Sequence, residues 1–304
     1  MHEPVMVKEV LEILGPRDQE TYIDATFGAG GYSESIMEKA KCFVVALDRD
    51  PEASPRALSF QKKYQERFSF YEGRFGEMEK LVPSIEYDGI VFDIGVSSPQ
   101  IDDPIRGFSF RMEGPLDMRM EKKGLSAADV VNGFEEKEIA RIIWVYGEER
   151  RSRAIARAIV ATRKEQPFET TTHLADLVRS IVGVERPGFD PATRTFQALR
   201  LYVNDELGEL ERGLEASEKL LKTGGRLVVV CFHSLEDRIV KNFLKTRSGG
   251  LANPSRYLPD APYQNPTFQL KDRKALTPGE AEIKRNPRAR SARLRWAIRL
   301  EGGL

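Results

Sequence analysis

The chain is poor in cysteine. Its 304 residues include two, Cys42 and Cys231, each inside an apolar strand-like run and neither in a CxxC pair. That fits a reducing cytosol and excludes a Cys-rich zinc site, so no metal is expected. The chain also lacks net charge, with 47 Lys plus Arg against 47 Asp plus Glu. The sum therefore argues neither for nor against a nucleic-acid partner, and local clustering has to decide. Long apolar runs are missing too. The stretch "LVVVCF", Leu227 to Phe232, falls far short of the roughly 20 residues that cross a bilayer. The opening "MHEPVMVKEV" has no basic-then-apolar pattern, so no secretory signal is expected. A cytoplasmic protein with no membrane partner follows. No internal repeat is visible. What remains is an ordinary globular composition, 31% charged and 40% hydrophobic, long enough for two domains or one with a large insertion.

Strand-like apolar runs occur at 21–27, 42–48, 67–72, 88–95 and 226–232, with 292–300 as a final strand. Helical periodicity fills the gaps between the first four. This is βαβ alternation and predicts a parallel sheet with helices on its faces. The gap from about 96 to 225 is far longer than one crossover helix needs. It reads as a helical insertion, whose last helix is expected to end at a C-cap pair, Gly224 and Gly225. The expected division is 1–103 and 211–304 for the sheet domain and 104–210 for the inserted one. The segment from about 248 to 290, rich in Pro, Gly and Asn without periodicity, reads as a long loop that orders on a partner.

After the first strand comes "DATFGAGGYS", Asp24 to Ser33. A dinucleotide fingerprint needs G-x-G-x-x-G, and counting from Gly28 the third glycine falls on Ser33. The alternative is the loop of S-adenosylmethionine (SAM) enzymes, here Asp24, Gly28, Gly30 and Gly31. A methionine zwitterion carries an ammonium that wants carboxylates or carbonyls, and its adenosine needs close approach to bare backbone. The second strand ends at Asp48, placed to accept from both ribose hydroxyls, although a plain tight turn explains the glycines equally well. The fourth strand ends in "DIGVSSPQ", an acid followed by a Ser-Pro loop at the sheet edge where open α/β proteins place their chemistry. Ser97 to Gln100 is a degenerate relative of the (D/N/S)-P-P-aromatic motif of methyltransferases acting on exocyclic amines. Such a nitrogen is a poor nucleophile, and oxygens accepting its N–H bonds return density to it and aim it. Asp93 and Ser98 are the candidates.

The stretches "DATFGAGGYS", "DRDP", "DIGVSSPQIDDPIRGFSFRMEGPLDMRM", "YGEERRSRAIARAIV", "DPATRTFQALRLYVNDEL", "GGRLVVVCFHSLEDRIVKNF" and "NPRARSARLR" together span nearly the whole chain. In them the sequence closely resembles the bacterial 16S rRNA cytosine-N4 methyltransferase H family. The resemblance implies a class I SAM-dependent methyltransferase sheet, Rossmann-like and α/β, with an inserted helical domain. It implies methyl transfer from SAM to N4 of a decoding-site cytidine, position 1402 in standard numbering, on the small ribosomal subunit. The cofactor pocket it implies falls on Gly30, Gly31, Tyr32, Asp48, Phe75, Asp93 and Gln100, beside Gly28 of the loop. Two departures stand out: Tyr32 and Asp190 occupy positions where the family usually has His.

His233 and Ser234 follow the fifth strand at the same edge. Facing the target base and capping the next helix are equally good readings of them, and His233 is carried as a third catalytic candidate. Phe108 and Phe110 read as core rather than as a stacking platform. Between Arg141 and Lys164 seven Lys or Arg face two acids, and between Lys284 and Arg299 seven face none. These runs suggest a phosphate footprint, with Arg150, Arg151, Arg153 and Arg157 in the first and Arg288, Arg290, Arg293 and Arg295 in the second. The expected partner is 16S rRNA in the small subunit, not DNA, with a homodimer left open. A flipped or unpaired cytidine is expected to reach the pocket. A nicotinamide oxidoreductase is disfavoured by the failed fingerprint, and a noncatalytic RNA binder needs neither Asp48 nor the Ser-Pro loop. A C5-methyltransferase would need a cysteine nucleophile, and Cys231 lacks the surroundings of one.

Overall fold

The structure, a computed structural model, describes residues 4–183, 188–249 and 265–301. The chain forms two compact units, Met1–Gly95 with Leu207–Leu304, and Val96–Glu206. The first opens with α1 (Val7–Leu14), then β1 (Thr21–Asp24), α2 (Gly31–Lys39), β2 (Phe43–Asp48), α3 (Ser54–Tyr64), β3 (Phe68–Glu72), α4 (Met78–Leu81) and β4 (Tyr87–Asp93). The second unit holds α5 (Ser98–Asp102), α6 (Ala127–Gly133), α7 (Glu136–Gly147), α8 (Ser152–Thr162), α9 (Thr171–Val182) and α10 (Thr193–Val203). After α11 (Glu206–Leu220) come β5 (Leu221–Cys231), α12 (Ser234–Arg247), β6 (Phe268–Gln269), α13 (Glu280–Arg285) and β7 (Arg293–Arg299).

The seven strands form one sheet in the order β3-β2-β1-β4-β5-β7-β6. The first five run parallel, and β7 lies antiparallel between β5 and β6. This is the Rossmann-like methyltransferase class the sequence leads one to expect, and its strand order reverses between β1 and β4. Both faces are covered, which is why the central strands are apolar without alternation. Val91, Val228 and Val230 point into the core formed with α1, α2 and α3. Ile90, Phe92, Leu227, Val229 and Cys231 point into the opposite core, with Leu210 and Leu214 of α11 and Val240 of α12.

Two expectations need correction. Gly224 and Gly225 do not cap α11, which ends at Leu220. They lie inside β5, where pairing with β4 jumps from Tyr87↔Leu221 to Gly89↔Arg226, and Gly224 takes φ +83° in that irregularity. Nor is 248–290 one loop. Residues 250–264 lie outside the described residues, but beyond them β6 and α13 form. The helical unit has its own core, in which Ile139, Ile142 and Ile143 of α7 meet Ile155 and Ile159 of α8, Val178 of α9 and Leu199 of α10. Phe110 packs there edge-on against Phe196, ring centroids 4.7 Å apart. Asp190 is gripped by Arg179 at 2.7 Å, so this departure from the family's usual residue is an ion pair.

Candidate active site

The loop after β1 is stitched to both neighbouring strands. The Ala25 N–H donates to the Val91 carbonyl and the Phe27 N–H to the Leu47 carbonyl. Asp93 N–H donates to Thr26 Oγ1 at 2.7 Å, and Gly28 N–H to Asp48 Oδ2 at 2.6 Å. Gly30 stands at φ +86°, and a Cβ there would lie 2.5 Å from the Phe60 ring. Only glycine satisfies both conditions. Gly31 opens α2, and the fully buried Asp24 caps its first turn by accepting from Ser33 N–H and Ser33 Oγ. Among the described residues, the amides of Ala29, Gly31 and Tyr32 have no partner, which leaves donors at a helix N-terminus. The Tyr32 side chain is unavailable: it is buried and its hydroxyl donates to the Val5 carbonyl. What Tyr32 offers is backbone.

Three carboxyls crowd the ends of adjacent parallel strands: Asp24 on β1, Asp48 on β2 and Asp93 on β4. Among the described residues, none of them is paired with a lysine or arginine. Burial pushes Asp24 and Asp48 each up to about 6. It pushes Asp93 up to about 8, helped by the nearby Asp24 and Glu236 carboxyls. Asp48 accepts one backbone N–H on each oxygen, from Gly28 and from Asp50, leaving lone pairs on both. Asp93 is less satisfied, since its Oδ1 is buried with no hydrogen-bond partner. An orphan acceptor of this kind costs stability unless a ligand completes it. Such a cluster repels an anion and suits a cation that also donates hydrogen bonds.

The other expected site residues divide. Phe75 follows β3 and packs edge-on against Phe92, centroids 5.4 Å apart. Ser98 and Gln100, expected with the sheet, belong to the helical unit. Ser98 opens α5, and Gln100 Oε1 accepts the Ser97 N–H at 2.9 Å. His233 takes the capping geometry, one of its two readings. It is the N-cap of α12, its Nδ1 accepts the Glu236 N–H at 3.4 Å, and its Nε2 lies 2.8 Å from Glu236 Oε1 at an angle short of a hydrogen bond. Both ring nitrogens thus face its own helix. Glu236, which sequence reasoning passed over, is fully buried and accepts the N–H groups of Phe232 and His233. Its position three residues after His233, a capping-box spacing, was the available signal. Thr26 and Arg56, whose Nε donates to the Gly28 carbonyl, were likewise missed.

The basic residues divide as well. Arg150, Arg151, Arg153 and Arg157 are exposed, although Arg151 also donates to the Ile181 carbonyl. Arg288, Arg290 and Arg293 are exposed too. Arg295 does not belong with them. Its side chain is 12% exposed and clamps Asp237 of α12, Nε to Oδ1 at 2.6 Å. Alternation along β7 sends Arg293 and Arg295 to the same face, and Arg293 reaches the same carboxylate at 3.1 Å. Asp237 therefore pairs with β7.

Among the described residues, no helix is long and apolar enough to cross a membrane. The family model of the MraW methylase family matches residues 1–300. Three relatives carry the name ribosomal RNA small subunit methyltransferase H. That of Paramagnetospirillum magneticum is 56% identical over 303 residues, covering 98% of this chain and 95% of the relative. That of Rhodospirillum centenum is 57% identical, with 98% and 92% covered. That of Acidiphilium cryptum is 53% identical, with 98% and 97% covered. With the family model matching residues 1–300 and relatives more than half identical over 98% of its length, the chain belongs to the MraW methylase family.

Proposed function

We propose that this protein transfers a methyl group from SAM to N4 of the decoding-site cytidine in small-subunit 16S rRNA. The observation that carries the reading is the buried carboxyl cluster, with the orphaned Asp93 Oδ1 at its centre. SAM fits that cluster because it brings two positive centres, an ammonium and a sulfonium, to carboxyls that have no cation of their own. The pyrophosphate of a nicotinamide dinucleotide would meet repulsion in the same place. Asp48 would take the ribose hydroxyls on its spare lone pairs, and the amides of Gly31 and Tyr32 would meet the cofactor's polar groups. Phe75 and Gln100 complete the set that the family resemblance implies. When bound, SAM supplies an electrophilic methyl.

The chain's own part is orientation and proton management. Burial pushes the Asp93 carboxyl up to about 8, and positive charge beside it favours its ionisation. The ionised oxygen can then accept an N–H of the exocyclic amine, restoring density to that nitrogen and aiming its lone pair. The proton of the methylated nitrogen leaves after transfer, and Asp93 is its nearest base in this reading.

The deciding experiment is nucleoside mass analysis of small subunits incubated with the protein and SAM. N4-methylcytidine is expected, and 5-methylcytidine or unmodified RNA would overturn the reading. Carbon methylation would require an accessible thiolate, whereas Cys231 is fully buried and burial raises its thiol well above the usual value. Cys231→Ser should accordingly keep most of its activity, and a covalent complex trapped by a 5-fluorocytidine substrate would argue the reverse.

Two further outcomes test the binding parts. Asp48→Ala should weaken SAM by about 1.5 to 3 kcal/mol, the range for losing hydrogen bonds to a charged acceptor, and unchanged calorimetric affinity would remove Asp48 from the pocket. Neutralising Arg288 and Arg290 together should flatten the salt dependence of subunit binding, as fewer counterions are released. Arg293 and Arg295 are left out of that test because both hold Asp237.

A further inference from the structure

Helix α7 buries Ile139, Ile142 and Ile143 and turns a different face to solvent. That face carries Lys137, Arg141, Trp144 and Glu148, all exposed. The spacing of four and three residues keeps Lys137, Arg141 and Trp144 on one stripe of the helix, and Glu148 follows as its C-cap. Trp144 is 56% exposed, and among the described residues it is the one aromatic among the exposed large apolar side chains. Single surface apolar residues are ordinary. An indole is a different case, because it carries a large apolar area that a helix facing only water has no reason to keep. No side chain among the described residues stacks on this ring. Arg141, the cation nearest in helical position, is folded back onto Glu138 by two hydrogen bonds, of 3.0 and 2.6 Å. The neighbouring helix α8 adds exposed Arg153 and Arg157, the latter 3.9 Å from Glu136 of α7. An open aromatic face beside cations is the pairing that unpaired nucleotides select: phosphates meet the charges and a base covers the ring.

We infer that the exposed face of α7 takes an unpaired nucleotide of the RNA substrate, its base stacked on Trp144. The inference rests on the RNA-substrate reading above and adds to it a contact on the helical unit. A second copy of the chain burying Trp144 and the adjacent exposed Val145 is the competing occupant, one that supplies no phosphate for Lys137 and Arg153 to meet.

The chain has two tryptophans, Trp144 and Trp296, so Trp296→Phe leaves Trp144 as the fluorescent reporter; the same titration on unaltered protein, compared with Trp144→Phe, gives the signal without touching the sheet. A single-stranded oligoribonucleotide should quench Trp144, while inorganic polyphosphate, which offers charge without bases, should not. Trp144→Ala should weaken RNA binding about tenfold with its salt slope unchanged. Trp144→Phe should restore most of it, and SAM affinity should stay constant in every variant. Unaltered RNA affinity in Trp144→Ala, with no quenching, overturns the stacking contact and leaves the RNA reading intact. Absence of RNA binding by unaltered protein overturns both. A blue shift of Trp144 that grows with protein concentration, with dimers in sedimentation, assigns the face to a second copy and overturns the inference.

Discussion

Asp93→Asn should lower methyl transfer by about a hundredfold or more, the cost of losing a positioned base, and should at the same time make the ligand-free protein more stable in mild alkali. The two effects share one cause. In the folded chain the Asp93 carboxyl titrates near 8 against an ordinary 3.8, so folding favours its protonated form. A group raised in this way stabilises the fold at low pH, and its contribution drains away as pH climbs from about 4 to about 8. Asparagine carries no such penalty. The stability advantage of the variant should therefore grow across that window and level off above it, as urea midpoints at a series of pH values would register. Asp24 and Asp48, each near 6, drain over the shorter span from about 4 to 6 and remain in both proteins. SAM binding below about pH 8 should also release a proton. Calorimetry in two buffers of different ionisation enthalpy would detect it, and Asp93→Asn should reduce it. Equal stability of the two proteins at pH 9, or a full rate in the variant, would refute the assignment.

A second large effect is expected far from the loop. Asp237→Ala should cost about 3 kcal/mol of stability, because it strands the nearly buried Arg295 guanidinium without its carboxylate. Arg293, with a side chain 56% exposed on the same carboxylate, should cost under about 1 kcal/mol when truncated. The pH sign is opposite to that of Asp93. Burial works against ionisation of Asp237, but the hydrogen bonds and charges of Arg295 and Arg293 outweigh it and hold its carboxyl below 3.8. Its contribution is present above the unfolded value and fades as pH falls through the folded one. Unaltered and Asp237→Ala proteins should therefore converge in strong acid. A gap that persisted there would point to lost packing instead.

Much of the sheet was legible because parallel strands covered on both faces spell themselves as uninterrupted apolar runs, and because acids at their ends are conspicuous. Asp48 and Asp93 were found that way. Gly30 was legible as part of a pattern, but its reason, the Phe60 ring against its α-carbon, lies in another element. Thr26 and Arg56 were invisible for the same cause, since each acts through a partner brought by the fold, whereas Glu236 had a capping-box spacing to mark it. His233 reads equally well as a catalyst and as a cap, and its closure onto Glu236 depends on where α12 begins. The basic run at 284–299 looked uniform in one dimension. In three, Arg295 of β7 is drawn onto Asp237, while Arg288 and Arg290 sit in the turn before that strand and stay exposed. A strand of two residues, β6, has no period to read.

The strand order has a consequence for biosynthesis. β7 follows the other six described strands in sequence, yet it lies between β5 and β6, and β6 pairs with β7. While a ribosome is still translating the preceding 290 or so residues, the outer edge of β5 has no neighbour and β6 has nothing to join. The Val96–Glu206 unit is contiguous in sequence and can condense as soon as it emerges; the sheet cannot be sealed until Arg293–Arg299 arrives. A ribosome that stalls shortly before that point leaves a product with an open apolar edge, a ready target for chaperones and proteases. Completion of the sheet thus acts as a check that synthesis has run through its seventh strand.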